Sequence, residues 1–211
     1  MDRAILLGLV VCPACRSRLA PGDARVACEG CGRIYPLEEG VPVLLDEVER
    51  ARSRDLRRGW GGERVTTGAN ARALGFLRPF VPRPAPFLNL VSRRNLARLD
   101  RELAGRPEAL VLDCGSGDGG GAGMAALARE LRDGRTVRLD VDRFPGVELV
   151  ASGSRLPFPD ATFDLVLLKA VLEHVPDPEA VLAEAQRTLR PGGALYVEVP
   201  FLFEYHPNPG D

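Results

Sequence analysis

The chain has 211 residues, of which 45% are hydrophobic and 27% charged, with a formal net charge of −1. This length allows one ordinary domain and a small additional module. No apolar run approaches the ~20 residues that cross a bilayer and no secretory signal is recognisable, which excludes a membrane protein and predicts a soluble cytoplasmic one.

Four cysteines near the N-terminus form two C-x-x-C pairs, Cys12 with Cys15 and Cys28 with Cys31, with twelve residues between the pairs. Four thiolates on two short turns can surround one tetrahedral Zn²⁺ at about 2.3 Å per sulfur. Disulfides are the alternative, but they require an oxidising compartment. We predict a structural zinc ribbon over residues 1–46, whose folding depends on the metal because so few apolar residues cannot form a core of their own.

Nucleic-acid binding by this ribbon is not expected, because its five arginines are matched by six acids and leave no basic face. Residues 47–106 instead carry fourteen arginines and six acids, a net of +8, whereas residues 107–211 carry nine basic and seventeen acidic groups, a net of −8. The middle segment is interpreted as packing against the acidic half, with a surface for anionic ligands as the alternative.

Most of this middle segment is rich in arginine and proline and reads as a linker, and a partly disordered linker over 47–88 is one interpretation. From Leu90 to Leu103 the leucines regain helical spacing, which predicts a helix before the next domain.

The last part of the chain, residues 107–211, alternates strand and helix patterns. Short apolar runs predict buried strands at 109–113, 136–141, 147–150, 163–169 and 194–199. Helical spacing predicts helices over 122–132 and 178–189. This alternation predicts an α/β fold with a parallel sheet and a ligand site at the C-terminal ends of the strands.

The second helix, over 178–189, has clear boundary signals. Asp177 and Pro178 supply a cap and a first-turn proline, and Arg190-Pro191-Gly192-Gly193 is expected to end the helix.

A glycine-rich loop follows the first of these strands. The strand ends in the carboxylate of Asp113, and Gly115, Gly117 and Gly119 let the backbone turn tightly and lie against a ligand. Gly115, Gly117 and Gly120 also fit the G-x-G-x-x-G spacing of a dinucleotide site, with Asp140 about 20 residues on. An anionic pyrophosphate would be repelled by an acidic strand end, whereas the sulfonium and ammonium groups of S-adenosylmethionine would be attracted.

Residues 107–211 resemble a class I S-adenosylmethionine-dependent methyltransferase of the type 11-like group that methylates small molecules. The landmarks, in order, are LDCGSGDG at 112–119, LDVD at 139–142, LPFPDATFDLV at 156–166, LEHVPDP at 172–178 and LRPGGALYVEVP at 189–200. The resemblance implies a Rossmann-like sheet, normally of seven strands, and methyl transfer to an oxygen, nitrogen or carbon atom of a small-molecule acceptor. The ribbon is similar to short zinc-ribbon proteins that activate several methyltransferases, and here it would be fused in cis.

The resemblance also implies roles for single residues. Asp113 would lie near the donor's ammonium group, the three glycines beside its methionine and ribose parts, and Asp140, or the nearby Asp142, at the ribose hydroxyls. Ser152 stands where the family usually has an acid for the adenine amino group. The predicted donor-binding residues are Asp113, Gly115, Gly117, Gly119, Asp140, Ser152, Leu156 and Lys169.

Two histidines are candidate catalytic groups. His174 follows the fourth strand, where the transferred methyl group should emerge, and His206 follows the fifth. Methyl transfer can also proceed by positioning a nucleophile without a base, so Glu173 and His174 could instead shape a turn. For His206 the alternative is a flexible terminal segment.

Only five of the family's seven strands are recognisable, so the strand at 194–199 would be an exposed edge open to a partner protein or a second copy. The alternative function is a non-catalytic or degenerate methyltransferase-fold subunit that regulates or scaffolds through its zinc ribbon. A nicotinamide-dependent oxidoreductase is a third interpretation, but no second half or catalytic constellation for it is recognisable.

Overall fold

The computed structural model describes residues 2–53, 90–117 and 135–199. Several sequence predictions lie outside these described residues: the helix over 122–132, the third loop glycine Gly119, His206, and most of the arginine- and proline-rich linker over 47–88 with its expected packing.

The N-terminal part forms a short helix and a small antiparallel sheet. Helix α1 (Arg3–Leu9) begins at Asp2, whose side chain accepts hydrogen bonds from the first free backbone amides of the helix. Four strands then pair in chain order: β1 (Leu19–Pro21), β2 (Arg25–Cys28), β3 (Ile34–Glu38) and β4 (Val41–Pro42). Residues 47–53 are helical.

The second part is a five-stranded parallel sheet in the order β7-β6-β5-β8-β9. Its strands are β5 (Val111–Cys114), β6 (Thr136–Asp140), β7 (Leu149–Val150), β8 (Phe163–Lys169) and β9 (Leu189–Glu198). Helix α2 (Leu90–Leu103) precedes the sheet, α3 (Pro178–Thr188) connects β8 to β9, and 3-10 turns cover Gly153–Arg155 and Leu172–His174. The predicted α/β class and parallel sheet are confirmed.

The order of the strands fixes where a ligand can enter. From β5 the chain builds outward through β6 to β7, and then it returns to the other side of β5 as β8. Open parallel sheets bind ligands at such a switch point, at the carboxyl ends of the strands. The ends of β5, β6 and β8 are therefore the first place to look for a site.

Both faces of the central strands are covered, which explains their continuous apolar runs. In β8, Val166 and Leu168 face one hydrophobic cluster, and Leu165 and Leu167 face the other. Helix α3 contributes Val181 and Ala185, one helical turn apart, to the first cluster. Helix α2 supplies Leu99 and Leu103 to the second.

The start of β9 differs from the sequence prediction. Helix α3 begins at the Asp177 cap as predicted, but Arg190-Pro191-Gly192-Gly193 is not a loop that separates helix from strand. The backbone amide of Thr162 already pairs with the carbonyl of Thr188 at 2.8 Å, so strand pairing begins directly after the helix. The four residues form an irregularity within β9 where the register shifts, and the positive φ of Gly192 (78°) permits it.

The ribbon and the parallel sheet share one hydrophobic core. Leu6 and Val10 of the α1 region and Val26 of β2 lie in the same buried cluster as Phe158 and Val166 of the sheet. The apolar residues that the ribbon lacks are thus supplied by the sheet.

Backbone pairing also joins the two parts. The amide of Leu44 donates to the carbonyl of Val150 at 2.7 Å, and Val43 forms a parallel bridge to the same strand, β7. The amide of Val11 donates to the carbonyl of Pro157 at 2.9 Å. The ribbon therefore covers the β7 edge of the sheet.

Ion pairs surround this junction. Arg143 contacts Glu39 at 2.6 Å, and Arg155 contacts Asp46 and Glu49. Each pair joins a ribbon-side acid to an arginine of the sheet part, so part of the basic charge of the second half is used within the molecule.

The opposite edge of the described sheet is β9. Leu195, Val197 and the following Val199 are exposed apolar residues there. Within the described ranges no strand covers this edge. Among the helices of the same residues, none is both long and apolar enough to cross a membrane.

Candidate donor and metal sites

Charged side chains gather at the carboxyl ends of the central strands. Asp113 is the third residue of β5, Asp140 ends β6, and Lys169 ends β8. Because these strands are parallel neighbours, the three side chains meet at one edge of the sheet.

The glycine loop leaves β5 in a conformation that requires glycine. Gly115 and Gly117 have φ values of 77° and 58°, in the left-handed region. A Cβ on Gly115 would lie 2.4 Å from Cγ2 of Val171, so the absence of a side chain also lets the turn after β8 approach the loop. The amides of Gly115 and Ser116 donate to the carbonyl of Leu139, which fixes the loop to β6.

Asp140 holds the loop from the other side. Its Oδ2 accepts from the amide of Gly117 at 2.9 Å, and its Oδ1 accepts from the amide of Asp142 at 3.0 Å. Burial raises the pKa of Asp140, although these backbone hydrogen bonds act in the opposite direction. Each carboxylate oxygen retains a second lone pair, which could accept a hydrogen bond from a ligand hydroxyl.

Asp113 is buried, at 4% exposure, and its Oδ2 has no hydrogen-bond partner among the residues that the structure describes. Burial raises the pKa of this carboxyl group to about 6, while the charges of Arg138 and Lys169 lower it and that of Asp140 raises it. A buried carboxylate oxygen without a partner is costly, and a cationic ligand group would remove that cost. The site therefore fits the ammonium or sulfonium group of S-adenosylmethionine.

The other predicted donor-binding residues lie in two different places. Lys169 is half-buried and acts on Asp113 through its charge. Ser152 caps the 3-10 turn Gly153–Arg155, accepting from the amide of Ser154 at 3.3 Å. The side chain of Leu156 lies in the shared core, and its amide donates to Glu184. Lys169 is thus at the strand-end cluster, whereas Ser152 and Leu156 belong to the segment after β7.

His174 lies in the 3-10 turn after β8, beside Glu173. Its Nε2 is 3.9 Å from Oε1 of Glu173, and both side chains are mostly buried. Both carboxylate oxygens of Glu173 are buried, and neither has a hydrogen-bond partner within the described parts of the chain. The structure thus brings a histidine and an acid to the strand edge where the sequence placed them.

The four N-terminal cysteines converge. Their Sγ atoms all lie within 4.8 Å of one another, with 3.7 Å between Cys12 and Cys31 and 3.3 Å between Cys15 and Cys28. A tetrahedral zinc with Zn–S bonds of about 2.3 Å requires sulfur–sulfur distances of about 3.8 Å. None of the five cysteines forms a disulfide. The arrangement is compatible with a Zn²⁺ site.

The backbone around the cysteines explains this convergence. In each C-x-x-C pair the chain reverses in a tight turn, with Arg16 donating its amide to Cys12 and Gly32 donating to Cys28. Both Arg16 and Gly32 have positive φ, at 60° and 71°. The hydroxyl group of the buried Tyr35 lies 3.3 Å from Cys12 Sγ, within reach of a hydrogen bond that would orient the thiolate.

The fifth cysteine, Cys114, is fully buried at the start of the glycine loop. Burial raises the pKa of its thiol to about 12, with the charges of Asp140 and Asp113 adding to the effect. A thiol that stays protonated is a poor nucleophile, as expected for a small buried residue that fills space.

Two residues that shape the candidate donor site were not predicted from the sequence. Arg138 stands opposite Asp113 in the register of β6, and Val171 contacts Gly115. Strand alternation could have placed Arg138 on the same face as Asp113, had the register been known. The contact of Val171 depends on a turn that no sequence signal specifies.

Comparisons with known proteins identify the family of the chain. A family profile described as a methyltransferase domain matches residues 112–197. A ubiquinone/menaquinone biosynthesis C-methyltransferase of Methylobacterium nodulans is 31% identical over 190 residues, covering 86% of this chain and 67% of the relative. The chain therefore belongs to the family of class I S-adenosylmethionine-dependent methyltransferases.

Other relatives match over a shorter span. A probable S-adenosylmethionine-dependent methyltransferase of Mycolicibacterium smegmatis is 36% identical over 122 residues, which is 53% of this chain and 44% of the relative. The chain thus spans less than half the length of that relative. Among solved structures, a 1,6-didemethyltoxoflavin-N1-methyltransferase of Burkholderia thailandensis is 21% identical, with a TM-score of 0.40 over 84% of this chain and 70% of that one. At that TM-score the likeness adds no argument to the sheet topology.

Proposed function

We propose that this chain binds S-adenosylmethionine at the edge formed by β5, β6 and β8 and that it transfers the methyl group to a small-molecule acceptor. The observation that carries this proposal is the buried Asp113 carboxylate beside the glycine loop, whose Oδ2 lacks a partner among the described residues. A cation is the ligand that such an acid favours. The sulfonium group supplies an activated methyl group when the donor is bound.

In this proposal, different residues at the strand edge bind different parts of the donor. Asp113 binds the ammonium group, the backbone at Gly115 and Gly117 lies against the methionine and ribose parts, and Asp140 accepts from the ribose hydroxyls. Asp140 already orders the loop through Gly117, so it acts both on the loop and on the ligand. Lys169 sets the charge around Asp113.

Five further assignments remain predictions at this stage. Gly119 is proposed to continue the loop, Ser152 and Leu156 to lie at the adenine, and His174 and His206 to act on the acceptor. We also retain the proposed division into residues 1–46, 47–106 and 107–211, and a cytoplasmic location. A non-catalytic scaffold is less well supported, because the loop glycines and both strand-end acids of the family are retained.

The ribbon is proposed to hold one structural Zn²⁺ through Cys12, Cys15, Cys28 and Cys31. The close approach of the four sulfurs and the hydroxyl group of Tyr35 beside Cys12 support this assignment. With four protein ligands, the Zn²⁺ would have no open coordination position for a substrate or water. The metal would therefore act by stabilising the fold.

The test is calorimetric titration of the 211-residue chain with S-adenosylmethionine and, separately, with NAD. We expect micromolar binding of S-adenosylmethionine and none of NAD. Asp140→Asn should weaken donor binding at least tenfold, because an amide replaces one of two oxygens that accept backbone amides and the charge is lost.

A matched control is Asp23→Asn, which removes the same charge from an exposed turn of the ribbon. Its affinity should equal that of the wild type. Preference for NAD, or equal loss in both variants, would contradict the proposed site.

A further inference from the structure

The 3-10 turn after β8 is held directly over the glycine loop. Beyond Lys169 the backbone turns sharply at Ala170, a non-glycine residue with φ 51°. Val171 then occupies the space that a Cβ of Gly115 would need. The amide of His174 closes the turn on the carbonyl of Val171 at 3.0 Å. Glu173 therefore lies in a turn whose first residue, Val171, packs against the glycine loop.

The carboxylate of Glu173 lacks hydrogen-bond donors in its surroundings, as far as the described residues show. Both oxygens are buried, and among the described residues neither has a hydrogen-bond partner. Two other acids with little exposure are satisfied: Glu184 accepts from Arg187 and from the amide of Leu156, and Asp164 accepts from Arg190 and the amide of Leu110. Apart from Glu173, only the proposed donor ligand Asp113 has a buried carboxylate oxygen without a partner among the described residues. Leaving a buried acid without donors is costly, so the arrangement is explained if a ligand supplies them.

The neighbouring histidine does not satisfy this acid. Nε2 of His174 is 3.9 Å from Oε1 of Glu173, beyond hydrogen-bond distance. His174 also has interactions of its own. Of the two side chains, Glu173 is the one whose acceptor capacity is unused.

We propose that Glu173 binds the methyl acceptor by accepting a hydrogen bond from its reacting O–H or N–H group and that it takes up this proton during transfer. The inference rests on the proposed function, since it assigns the acceptor side of the same site. The acceptor's lone pair forms the new bond to the methyl carbon, the C–S bond breaks with its electron pair going to sulfur, and the acceptor's proton goes to an oxygen of Glu173. The resulting carboxylic acid then returns the proton to water.

This role restricts the class of acceptor. A group that carries a hydrogen, such as a hydroxyl or an amine, satisfies the buried carboxylate. A carboxylate or another anion would place a second negative charge against it and would be rejected. Glu173 thus selects acceptors that can donate a hydrogen bond.

The test uses two pairs of probes that differ only by replacement of the hydrogen with methyl: phenol against anisole, and aniline against N,N-dimethylaniline. Binding is measured by NMR titration of the whole chain saturated with S-adenosylhomocysteine. In the wild type we expect at least one hydrogen-bearing probe to bind about tenfold more tightly than its methylated partner. Glu173→Met, which removes both acceptor oxygens, should reduce that preference to less than twofold.

A second variant separates hydrogen bonding from proton uptake. Glu173→Gln keeps one acceptor oxygen, so part of the binding preference should remain, while release of S-adenosylhomocysteine in the presence of the preferred probe should fall about 100-fold. Glu179→Gln, an exposed acid in the first turn of α3, is the matched control and should behave as the wild type.

Titration with S-adenosylhomocysteine comes first and should give the same affinity within about twofold in all four proteins. Failure of the wild type to bind it would overturn the proposed function, and this inference with it. Normal donor binding with no preference in either probe pair, or with a preference that survives in Glu173→Met, would overturn the inference alone. Loss of donor binding in both Glu173 variants would also overturn it, because the residue would then support the donor pocket.

Discussion

The two parts of this molecule obtain their stability in different ways. The parallel sheet buries apolar side chains on both faces, and all four residues of β5 are buried. The ribbon has short strands of two to five residues and brings four cysteine sulfurs together. Yet one buried cluster contains apolar side chains from both parts. A small module can thus share the core of its neighbour, and its proposed Zn²⁺ would supply local geometry.

The comparison predicts that the two parts unfold together, although only one of them holds the metal ligands. If they were independent, loss of the metal would leave the sheet unchanged. The following experiments test whether the two parts unfold together and measure how strongly they are joined.

The largest effect is expected from loss of a metal ligand. Cys28→Ala should abolish zinc binding and reduce the free energy of unfolding by about 5 kcal/mol or more, since metal binding contributes directly to the folding of such modules. Metal analysis and thermal unfolding measure the two effects. We expect one transition, shifted as a whole, because the ribbon and the sheet share a core.

Cys114→Ala is the matched control, because it removes a buried thiol that is not in the metal cluster. It should retain one zinc per chain. A ribbon transition separate from an unchanged sheet transition in Cys28→Ala would show that the shared core does not couple the two parts.

The next effect tests the shared core itself. Phe158 is fully buried and contacts Phe163 edge to face, with ring centroids 4.8 Å apart. Phe158→Ala should cost about 4 kcal/mol through lost burial and a cavity, measured by urea unfolding. The exposed Ile34 of the ribbon provides a control, and Ile34→Ala should change stability by about 0.5 kcal/mol or less. Equal effects of the two substitutions would contradict the assignment of the core.

A smaller effect, dependent on pH, is expected from Asp113. Burial opposes ionisation of its carboxyl group and raises the pKa from the ordinary value of 3.8 to about 6 in the folded chain. The folded state therefore binds the proton more tightly, so this residue's contribution to stability falls as pH rises from about 4 to 6. The total change is roughly 3 kcal/mol.

Asp113→Asn cannot lose a proton and should remove this pH dependence. Urea unfolding of both proteins at pH 4, 5, 6 and 7 measures it: the variant should gain stability relative to the wild type as pH rises. A difference between the two proteins that is constant with pH would show that Asp113 titrates normally. Donor affinity should move in the opposite direction, increasing with pH, because only the ionised carboxylate attracts the cationic donor.

The smallest effect is expected at the rim of the junction. Arg143 and Glu39 form an ion pair at 2.6 Å, but the side chain of Glu39 is 81% exposed. A double-mutant cycle with Arg143→Ala and Glu39→Ala should give a coupling of about 0.5 kcal/mol, which decreases at high salt. A coupling of several kcal/mol would mean that the rim, and not the core, joins the two parts.

Much of the fold could be predicted because its signals are local. The apolar run of β8 has the bounds 163–169, and the cap at Asp177 marks the start of α3. The start of β9 was wrong because proline and two glycines usually end an element, whereas here strand pairing with the segment before β8 begins ahead of them. Local composition does not reveal which backbone a residue will pair with.

The charged residues of the candidate site could be predicted from the sequence, but the missing hydrogen bonds of its buried acids could not. Asp113, Asp140 and Lys169 could be placed at one edge because parallel strands end together. The orphaned oxygens of Glu173 depend on the tertiary position of a single turn, which only the assembled structure shows. The shared core could not be predicted from the sequence either, because the apolar face of α1 does not specify which element it packs against.

The bridge between Val43 and Val150 also limits how copies of this sheet could assemble. With β7 occupied from within the same chain, the edge of the described sheet that has no partner strand is β9. If the β9 edges of two copies paired about a twofold axis, that edge would be occupied on both copies. Within the described residues, pairing through the parallel sheet would therefore join two molecules and leave no edge of that sheet for a third.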